Sequence, residues 1–394
     1  MVIEIDMIEF EQEEFEDLAK IKVIGVGGGG SNAVKRMIEA ELTGVEFYVV
    51  NTDLQALRTC HNTTRVQVGI NTTSGLGAGA DPEKGRKAAE EDKDKLKSIV
   101  EGADMVFVTA GMGGGTGTGA APVIASLAKE SGALTIGVMT RPFDFEGSKR
   151  ASQAEDGLKN IQECADSVIV IPNQRLMEVV DRKLPIRLAF RMGDQILLHA
   201  VQSISDLIMV PGEINLDFAD VKTIMSDSGG ALMGIGFASG DNRAQIAAQH
   251  AISSPLLEES SIEGASGIIV NITGPSDMMM HELEGAMDVI RDASDTDQLI
   301  FGLAYNDDLE DELRVTVIAT GFDSNLHPVM PNVQRDGDVI DFEKFLVGKN
   351  QRAGQERDAQ QGTGKQVKPD ASENTEDQWD VPTFIRLRGS KDKK

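Results

Sequence analysis

Short apolar runs alternate with amphipathic stretches through the first half of the chain. The runs begin at Lys22 and recur at residues 45–51, 104–110, 134–140 and 167–172. Segments with helical periodicity lie between them. Apolar strands that alternate with helices are typical of a parallel sheet covered on both faces. The pattern therefore predicts an α/β fold with a doubly wound, mostly parallel sheet.

A long helix is predicted to follow this alternating region. Leu197, Val201, Ile204 and Ile208 recur at steps of four, three and four residues, which places them on one helical face. The apolar stripe around them is wide, so we expect the helix to be buried between two units. Pro185 lies inside the region, so the continuous helix is expected to start after it.

The second half of the chain predicts a smaller α+β unit and a polar tail. Strand candidates occur at residues 267–272, 299–304 and 314–320. Residues 349–378 contain no aromatic side chain and are rich in Gln, Gly, Asp, Lys and Glu, so they cannot bury enough apolar surface to offset their ordering entropy. The predicted organisation is an acidic extension (1–20), a ligand-binding α/β domain (21–175), a central connecting helix (176–210), a C-terminal α+β domain (211–333), a disordered linker (334–378) and a C-terminal partner-binding peptide (379–394).

Charge and cysteine content exclude several classes of protein. The 394 residues include 38 Lys and Arg against 64 Asp and Glu, a net charge of −26, which disfavours nucleic acid as a partner. The two cysteines, Cys60 and Cys164, are too few for a disulfide scaffold or a zinc ribbon and fit a reducing compartment. No run of about 18 apolar residues and no basic–apolar leader occurs, so we expect a cytoplasmic protein without a membrane span.

Two glycine-rich turns each follow a predicted strand and precede a predicted helix. The first spans residues 25–32 (GVGGGGSN) and the second residues 111–119 (GMGGGTGTG). Glycine lets backbone N–H groups approach an anion closely, and the following helix adds the positive end of its dipole. Neither turn ends in Gly-Lys-Ser/Thr, so a P-loop lysine is absent. We expect backbone amides, the hydroxyls of Thr116 and Thr118 and a bound Mg²⁺ to meet the charge of a di- or triphosphate.

The first turn alone allows a different function. Gly25, Gly27 and Gly30 fit the G-x-G-x-x-G pattern, and Asp53 follows the second strand, as in dinucleotide-binding Rossmann domains. A nicotinamide- or flavin-dependent oxidoreductase is therefore the alternative interpretation. The second turn favours a nucleoside triphosphate instead, because a Rossmann site has no use for a GGGTGTG turn after a later strand.

A much longer set of segments resembles the bacterial cell-division members of the tubulin/FtsZ superfamily. The segments GVGGGGSNAV, VNTDLQALR, GLGAGADPEKGR, GGGTGTGAAPVIA, RPFDFEGSKR, IPNQRL and PGEINLDFADVKTIMSDSGGALMGIG occur in the expected order between residues 22 and 321. The terminal DVPTFIRLR resembles the C-terminal peptide of those proteins. The resemblance implies a GTP-hydrolysing protein that polymerises head to tail and forms the division ring at mid-cell, in the cytoplasm. A superfamily member with a role outside division remains a further alternative.

The resemblance also implies which residues bind GTP or GDP together with Mg²⁺. It places contacts to the phosphates, ribose and base, in chain order, at Gly28, Gly29, Gly30, Asn32, Gly115, Thr116, Gly117, Glu146, Arg150, Asn173, Phe190 and Asp194. Phe190 matches the ring that stacks on guanine, and Asp194 matches the carboxylate that reads its edge. The chemistry agrees, because a carboxylate can accept hydrogen bonds from both N1–H and the 2-amino group of guanine. Met192-Gly193 replaces the Ala-Asn that usually precedes this aspartate.

Hydrolysis is predicted to need a second segment, because the glycine turns carry no general base. The resemblance implies that Asn215, Asp217 and Asp220 act on the nucleotide of the neighbouring subunit, where the carboxylates would orient a water toward the γ-phosphate. No dedicated protein metal site is expected. Asp217 is also expected to cap the helix that starts there, with Asp220 adding a favourable dipole interaction, so that both residues combine a structural with a catalytic role.

The C-terminal peptide, residues 379–394, carries an apolar face and a basic end. Val381, Phe384 and Ile385 share a face if Pro382 starts a short helix, and such a face suits docking into a partner's groove. The resemblance implies membrane-adaptor and ring-regulator proteins as the partners. A frayed terminus with incidental apolar residues is the alternative.

Overall fold

The computed structural model describes residues 19–177, 185–210, 212–257 and 262–322. The predicted N-terminal extension (1–20, apart from its last two residues), the linker and the C-terminal peptide lie outside these ranges. Within them, no helix is long and apolar enough to cross a membrane.

One ten-stranded sheet organises the described residues. Its strands are β1 (Ile21–Val26), β2 (Val45–Asn51), β3 (Thr64–Gln67), β4 (Met105–Gly111), β5 (Leu134–Arg141), β6 (Ser167–Pro172), β7 (Gly229–Ser239), β8 (Gly267–Gly274), β9 (Leu299–Tyr305) and β10 (Glu312–Thr320). The order across the sheet is β3-β2-β1-β4-β5-β6-β7-β10-β8-β9. All neighbours pair in parallel except β10, which is antiparallel to both β7 and β8. The predicted mostly parallel α/β sheet is thereby confirmed.

The helices connect and cover the strands. They are α1 (Gly27–Glu39), α2 (Leu54–Arg58), α3 (Ile70–Thr73), α4 (Pro82–Glu91), α5 (Lys93–Val100), α6 (Thr116–Glu130), α7 (Ser148–Cys164), α8 (Asn173–Leu176), α9 (Ile186–Met209), α10 (Phe218–Met225), α11 (Arg243–Ile252) and α12 (Met280–Asp292). The long helix α9 starts directly after Pro185, as its sequence predicts.

Two separate hydrophobic cores lie along the continuous sheet. One packs β1 and β4 against α6 and α7, with Ile24, Val108, Ile124 and Ile161 among its members. The other packs β8 and β10 against α11 and α12. The apolar face of α9 is buried, as expected for a helix between two units.

A buried polar network joins α9 to the strands of the second core. The Ser203 hydroxyl donates to Thr316 Oγ1 at 3.1 Å, and the Asn271 amide donates to the Ser203 carbonyl at 2.7 Å. Arg314 lies 3.2 Å from the ring of His199. Burial lowers the pKa of this histidine well below its usual value, so the ring is neutral at physiological pH. These bonds fix α9 at one position on the sheet.

Candidate nucleotide-binding site and catalytic loop

The two glycine turns lie side by side because they follow neighbouring parallel strands. Strands β1 and β4 pair in register, and each leads directly into its turn. A Cβ on Gly27 would lie 2.8 Å from the Gly117 nitrogen, and one on Gly29 would lie 3.0 Å from the Gly111 nitrogen. Only glycine therefore lets the two turns come this close. Together they form a single glycine-lined surface at the carboxyl edge of the sheet, where α/β folds bind ligands.

Individual glycines of the first turn have different tasks. A Cβ on Gly30 would lie 2.2 Å from the Thr109 carbonyl oxygen, so this glycine allows α1 to pack on β4. A Cβ on Gly28 would meet no atom within 4 Å. Gly28, Gly29 and Asn32 are exposed and share one side of the first turn of α1. That open side is where a phosphate can approach.

Both helices behind the turns begin without a capping side chain. Neither Val26, before α1, nor Gly115, before α6, caps its helix with a side-chain hydrogen bond. The N–H groups of a first helical turn have no partner within the helix. Two uncapped helix N-termini at one glycine-lined surface therefore make an anion site that suits a di- or triphosphate.

The threonines of the second turn hold the site in shape. The hydroxyls of Thr116 and Thr52 are hydrogen-bonded at 2.6 Å. The Thr118 hydroxyl accepts from the Gly113 nitrogen at 2.9 Å, and the residue is buried. Accepting this bond does not use the O–H of Thr118 as a donor, so its expected contact with phosphate stays a prediction. Sequence reasoning missed Thr52, because its contact depends on the pairing of distant strands.

A third segment, residues 75–85, covers the second glycine turn. A Cβ on Gly115 would lie 2.8 Å from Ala78 Cβ and 2.9 Å from the Asp81 nitrogen, and one on Gly85 would lie 2.2 Å from the Gly115 oxygen. The Asp81 side chain caps α4 by accepting from the first-turn nitrogens. Sequence reasoning gave this segment no role, although its alternating glycines were a usable signal: Gly75, 77 and 79 all have positive φ.

Glu146 and Arg150 lie together at the start of α7, beside the second turn. Their side chains form an ion pair at 2.9 Å, and Glu146 also accepts from the Phe143 nitrogen at 2.9 Å. A Cβ on Gly113, which has φ +90°, would lie 2.5 Å from the Arg150 backbone oxygen. The structure thus brings both predicted residues to the phosphate turn and orients the arginine through its carboxylate.

The predicted base-stacking residue belongs to an aromatic cluster. Phe143 stacks on Phe145 at a centroid distance of 5.1 Å, and Phe190 meets the edge of Phe143 at 5.2 Å. Phe190 remains 44% exposed, so part of its ring is available to a ligand. The two additional rings hold Phe190 in place, and a purine can complete the cluster. Sequence reasoning missed Phe143 and Phe145.

Asp194 lies one helical turn after Phe190 on α9. Burial raises the pKa of its carboxyl to about 7, although the guanidinium groups of Arg36 and Arg191 oppose the shift. Because burial makes the ionised form of this carboxyl unfavourable, two hydrogen bonds donated to it would stabilise that form. The edge of guanine supplies two such donors.

Asn173, at the start of α8, faces α9. It is 8% exposed, and its Oδ1 has no hydrogen-bond partner in the structure. A Cβ on Gly193 would lie 3.0 Å from that oxygen. Gly193 therefore lets the asparagine pack against the helix, and a ligand donor would satisfy its oxygen.

Asn215, Asp217 and Asp220 occupy a loop and helix start after α9. The Asn215 side chain accepts from the Gly212 nitrogen at 2.7 Å, and the Leu216 nitrogen donates to the Leu207 oxygen at 3.3 Å. Asp217 occupies the position before α10, but its side chain makes no capping hydrogen bond. The capping role considered for Asp217 is therefore wrong. Both carboxylates are exposed, which leaves them available to another molecule.

The carboxylates lie far from the glycine turns of the same chain. Leu207, which anchors their loop, is thirteen residues along α9 from Asp194, or about 20 Å at 1.5 Å per residue. The loop follows the far end of α9, so Asp217 and Asp220 are out of reach of a nucleotide bound at the glycine turns.

The described part of the chain contains no ready metal centre. Among the described residues, no group of three or more His, Cys, Asp or Glu side chains could hold an ion. Mg²⁺ commonly enters nucleotide sites on the phosphates and keeps several waters. The described residues therefore fit a Mg²⁺ ion that binds together with the triphosphate, rather than an ion held by protein side chains alone.

Asp53 argues against the Rossmann alternative. Its carboxylate accepts from the Gln55 and Ala56 nitrogens at 2.8 and 3.3 Å and so caps α2. In a Rossmann site the corresponding acid would bind the ribose. Here the Asp53 carboxylate caps α2 instead, and the second glycine turn follows the neighbouring strand β4.

Comparison with known proteins agrees with this geometry. Residues 20–181 match the GTPase domain of the Tubulin/FtsZ family, and residues 229–323 match the C-terminal domain of the FtsZ family. An FtsZ dimer from M. jannaschii is 37% identical, with 80% of this chain and 95% of that chain covered and a TM-score of 0.75. A point mutant of M. jannaschii FtsZ is 38% identical, with 78% of this chain and 92% of that chain covered and a TM-score of 0.74.

A more distant protein shares the fold alone. CetZ2 from Haloferax volcanii, a GTPγS-bound protofilament, is 21% identical and covers 86% of this chain and 99% of its own, with a TM-score of 0.64. The identity, the coverage and the two domain matches together show that this chain belongs to the FtsZ family within the tubulin/FtsZ superfamily.

Proposed function

We propose that the chain polymerises head to tail and hydrolyses GTP at a site shared between adjacent subunits. The family's GTPase domain binds GTP or GDP and implies GTP hydrolysis. The observation that carries the shared site is the length of α9, about 20 Å, between Asp194 at the nucleotide surface and Leu207, which anchors the Asp217 loop on the same chain. A second subunit stacked on the glycine turns would bring its own loop to the γ-phosphate.

The contact between subunits would join unlike surfaces and so would propagate. A heterologous contact whose rotation does not close produces a filament. The surface around the glycine turns displays Leu76, which is 83% exposed, and Ile70, which is 50% exposed. Exposed apolar side chains beside a ligand site suit burial under a neighbour. The M. jannaschii FtsZ relative forms a dimer, which supports self-association.

The chemistry assigned to the catalytic loop is positioning and electrostatics. Phosphoryl transfer to water needs an oriented nucleophile and stabilised charge on the γ-phosphate. Asp217 and Asp220, three residues apart, would hold the attacking water and accept its proton, while Asn215 shapes the loop. Mg²⁺ bound to the triphosphate would neutralise developing charge.

The nucleotide contacts form three groups in this proposal. The N–H groups of Gly28, Gly29 and Gly30 and of Gly115, Thr116 and Gly117 would hold the phosphates. Asn32, Glu146, Arg150 and Asn173 would bind near the ribose and phosphates, and Phe190 and Asp194 would bind the base. The open side of Gly28, the unpartnered Asn173 oxygen and the exposed face of Phe190 support this arrangement.

The cellular role follows the family resemblance. The filament would form a division ring at mid-cell in the cytoplasm, and residues 379–394 would bind membrane-adaptor and ring-regulator proteins. The apolar face of that peptide and its basic end support docking to a partner. Deleting residues 379–394 should abolish adaptor binding while GTP turnover and filament growth persist.

Substitution of Asp217 tests the shared site. Asp217→Ala should bind GDP and GTP as the unchanged protein does and lose turnover by at least about a hundredfold, because a water-orienting group is removed. Glu213→Ala is the matched control, since it removes an exposed carboxylate from the same loop. Wild-type turnover in Asp217→Ala, or an equal loss in Glu213→Ala, would contradict the assignment.

Mixing two defective variants tests whether the site is shared. Gly28→Ala is expected to weaken nucleotide binding but keep its loop, whereas Asp217→Ala keeps its nucleotide site. An equimolar mixture should hydrolyse GTP faster than the sum of the separate proteins, because one class of interface joins an intact pocket to an intact loop. Sedimentation with GTP verifies that both variants enter the same filaments.

A further inference from the structure

The hydrogen bond between Thr52 and Thr116 joins two strand ends across a third. Thr52 follows β2, and Thr116 is the first residue of α6, which follows β4. Strand β1 lies between β2 and β4, and a Cβ on Gly27 of its glycine turn would lie 3.4 Å from Thr116 Cβ. The two threonine hydroxyl oxygens are 2.6 Å apart. A strand that carries neither glycine turn therefore contributes a side chain to the surface proposed to hold the phosphates.

The two hydroxyls differ in what else they can contact. Thr52 is completely buried, whereas Thr116 keeps 9% of its surface exposed. Among the described residues, neither hydroxyl has a second hydrogen-bond partner. The Thr52 hydroxyl can therefore bond only to Thr116, while the Thr116 hydroxyl can also meet a ligand at the glycine turns.

A bound phosphate would fix the direction of this hydrogen bond. A threonine hydroxyl has one O–H to donate and two lone pairs with which to accept. If Thr116 donated to Thr52, the Thr52 proton would be buried without an acceptor, and Thr116 would present only lone pairs to the anion. If Thr52 donates to Thr116, the Thr116 proton is free for a phosphate oxygen and both protons are satisfied. A negatively charged ligand therefore favours donation from Thr52 to Thr116.

The loop that carries Thr52 is held in place by a neighbouring segment. The Thr73 hydroxyl lies 3.4 Å from the Thr52 carbonyl oxygen. The Leu54 nitrogen donates to the Gly75 oxygen at 3.1 Å. Because these contacts fix the loop, the Thr52 hydroxyl can select one rotamer of Thr116.

We propose that Thr52 is a positioning residue for phosphate binding, which donates to Thr116 Oγ1 and so directs the Thr116 hydroxyl proton to a phosphate oxygen of the nucleotide. Thr52 acts through Thr116 and does not touch the ligand. Hydrogen bonds in such a chain polarise one another, so the first strengthens the second. This inference rests on the phosphate placement proposed above but not on the shared active site, because nucleotide binding to one subunit is sufficient to test it.

Binding of GDP and of guanosine, compared by calorimetry on the unassembled full-length protein, tests this role. Guanosine has no phosphate, so only GDP can use the Thr116 hydroxyl. Thr52→Val keeps the side-chain shape and removes the donor, and we expect the affinity for GDP to fall about fivefold while that for guanosine stays unchanged. Thr52→Ser keeps the hydroxyl and should bind GDP within about twofold of the unchanged protein.

Thr135→Val is the matched control for the loss of a buried hydroxyl. Thr135 is also completely buried, and its hydroxyl donates to the Ala133 carbonyl at 3.0 Å. It lies near the start of β5, at the edge of the sheet opposite the glycine turns. This variant should bind both GDP and guanosine as the unchanged protein does.

A double-mutant cycle shows whether Thr52 acts through Thr116. Thr116→Val should lower the affinity for GDP about tenfold or more, because it removes a hydrogen bond to a charged group, and adding Thr52→Val should lower it no further. Unchanged GDP affinity in Thr52→Val, an equal loss for guanosine, an equal loss in Thr135→Val, no rescue by Thr52→Ser, or a full further loss in the double variant would overturn the proposal. If the unchanged protein bound guanosine as tightly as GDP, the phosphate placement itself would be wrong, and this inference with it.

Discussion

The ionisation of Asp194 gives the proposed guanine contact a measurable pH dependence. Burial places the pKa of this carboxyl at about 7 in the nucleotide-free protein. The N1–H and 2-amino groups of guanine donate hydrogen bonds, so they favour the ionised carboxylate and lower its pKa in the complex. Guanine nucleotides are therefore expected to bind the ionised form.

The size of the effect follows from that pKa. With a pKa of about 7, about ten-elevenths of the carboxyl groups are ionised at pH 8 and about one-eleventh at pH 6. Affinity for GDP should thus fall about tenfold between pH 8 and pH 6, which corresponds to about 1.4 kcal/mol. At pH 7 about half a proton should be released for each GDP bound, because half of the sites must first ionise.

Isothermal titration calorimetry measures both quantities. GDP is titrated at pH 6, 7 and 8 in two buffers with different ionisation enthalpies, so that proton release is read directly. Asp194→Asn is the control, because the phosphates of GDP titrate in both proteins while the carboxyl is absent from one. If the unchanged protein and Asp194→Asn show the same pH profile and the same proton release, the carboxylate does not read the base.

The raised pKa of Asp194 also determines how the stability of the protein changes with pH. A carboxyl whose folded pKa lies above its usual value of 3.8 makes the ionised, nucleotide-free protein less stable, and that cost grows as pH rises from about 4 to about 7. Bound guanine offsets the cost. The rise in melting temperature caused by saturating GDP should therefore be larger at pH 8 than at pH 6, and Asp194→Asn should remove the difference.

Other substitutions separate packing from ligand contact. Gly30→Ala should destabilise the fold by about 1–3 kcal/mol in urea unfolding, because its Cβ would lie 2.2 Å from a β4 carbonyl oxygen. Gly28→Ala should leave stability unchanged or higher yet weaken GDP binding in calorimetry, since its Cβ meets only open space. Gly193→Ala should displace the Asn173 amide, 3.0 Å from the new Cβ, and weaken GDP binding severalfold without loss of fold. Arg243→Met should destabilise the fold by about 2–3 kcal/mol in the same unfolding assay, because the arginine is buried and pairs with three carboxylates. Unchanged unfolding midpoints for Gly30→Ala and Arg243→Met, or unchanged GDP affinity for Gly28→Ala and Gly193→Ala, would contradict these assignments.

Local patterns predicted most strands because most of the apolar runs, such as those of β1, β4 and β8, are buried on both faces. Strands β2 and β6 have the predicted bounds. Two strands were missed for identifiable reasons. β3 is a short edge strand with polar residues, and β7 contains four glycines that hide its apolar alternation. A glycine in β7 is required where it packs on α11, since a Cβ on Gly236 would lie 2.0 Å from the Ala247 oxygen.

The candidate site was predictable only where a single segment carries it. The glycine turns are local, so their position before helices follows from the sequence. The Thr52–Thr116 bond, the Phe143–Phe190 edge contact and the cover over Gly115 join segments distant in the chain, and no periodicity reports them. Asp217 was considered a helix cap because of its position, but capping depends on a rotamer that the sequence does not specify.

The dependence of GTP turnover on protein concentration tests the shared active site most directly. If the Asp217 loop acts only on a neighbour's nucleotide, as proposed, turnover per subunit should be negligible at low concentration and rise once filaments form. Asp217→Ala should assemble with GTP at the same concentration but remain without turnover. A turnover per subunit that stays constant on dilution below the assembly threshold would show a complete active site in one chain and contradict the account.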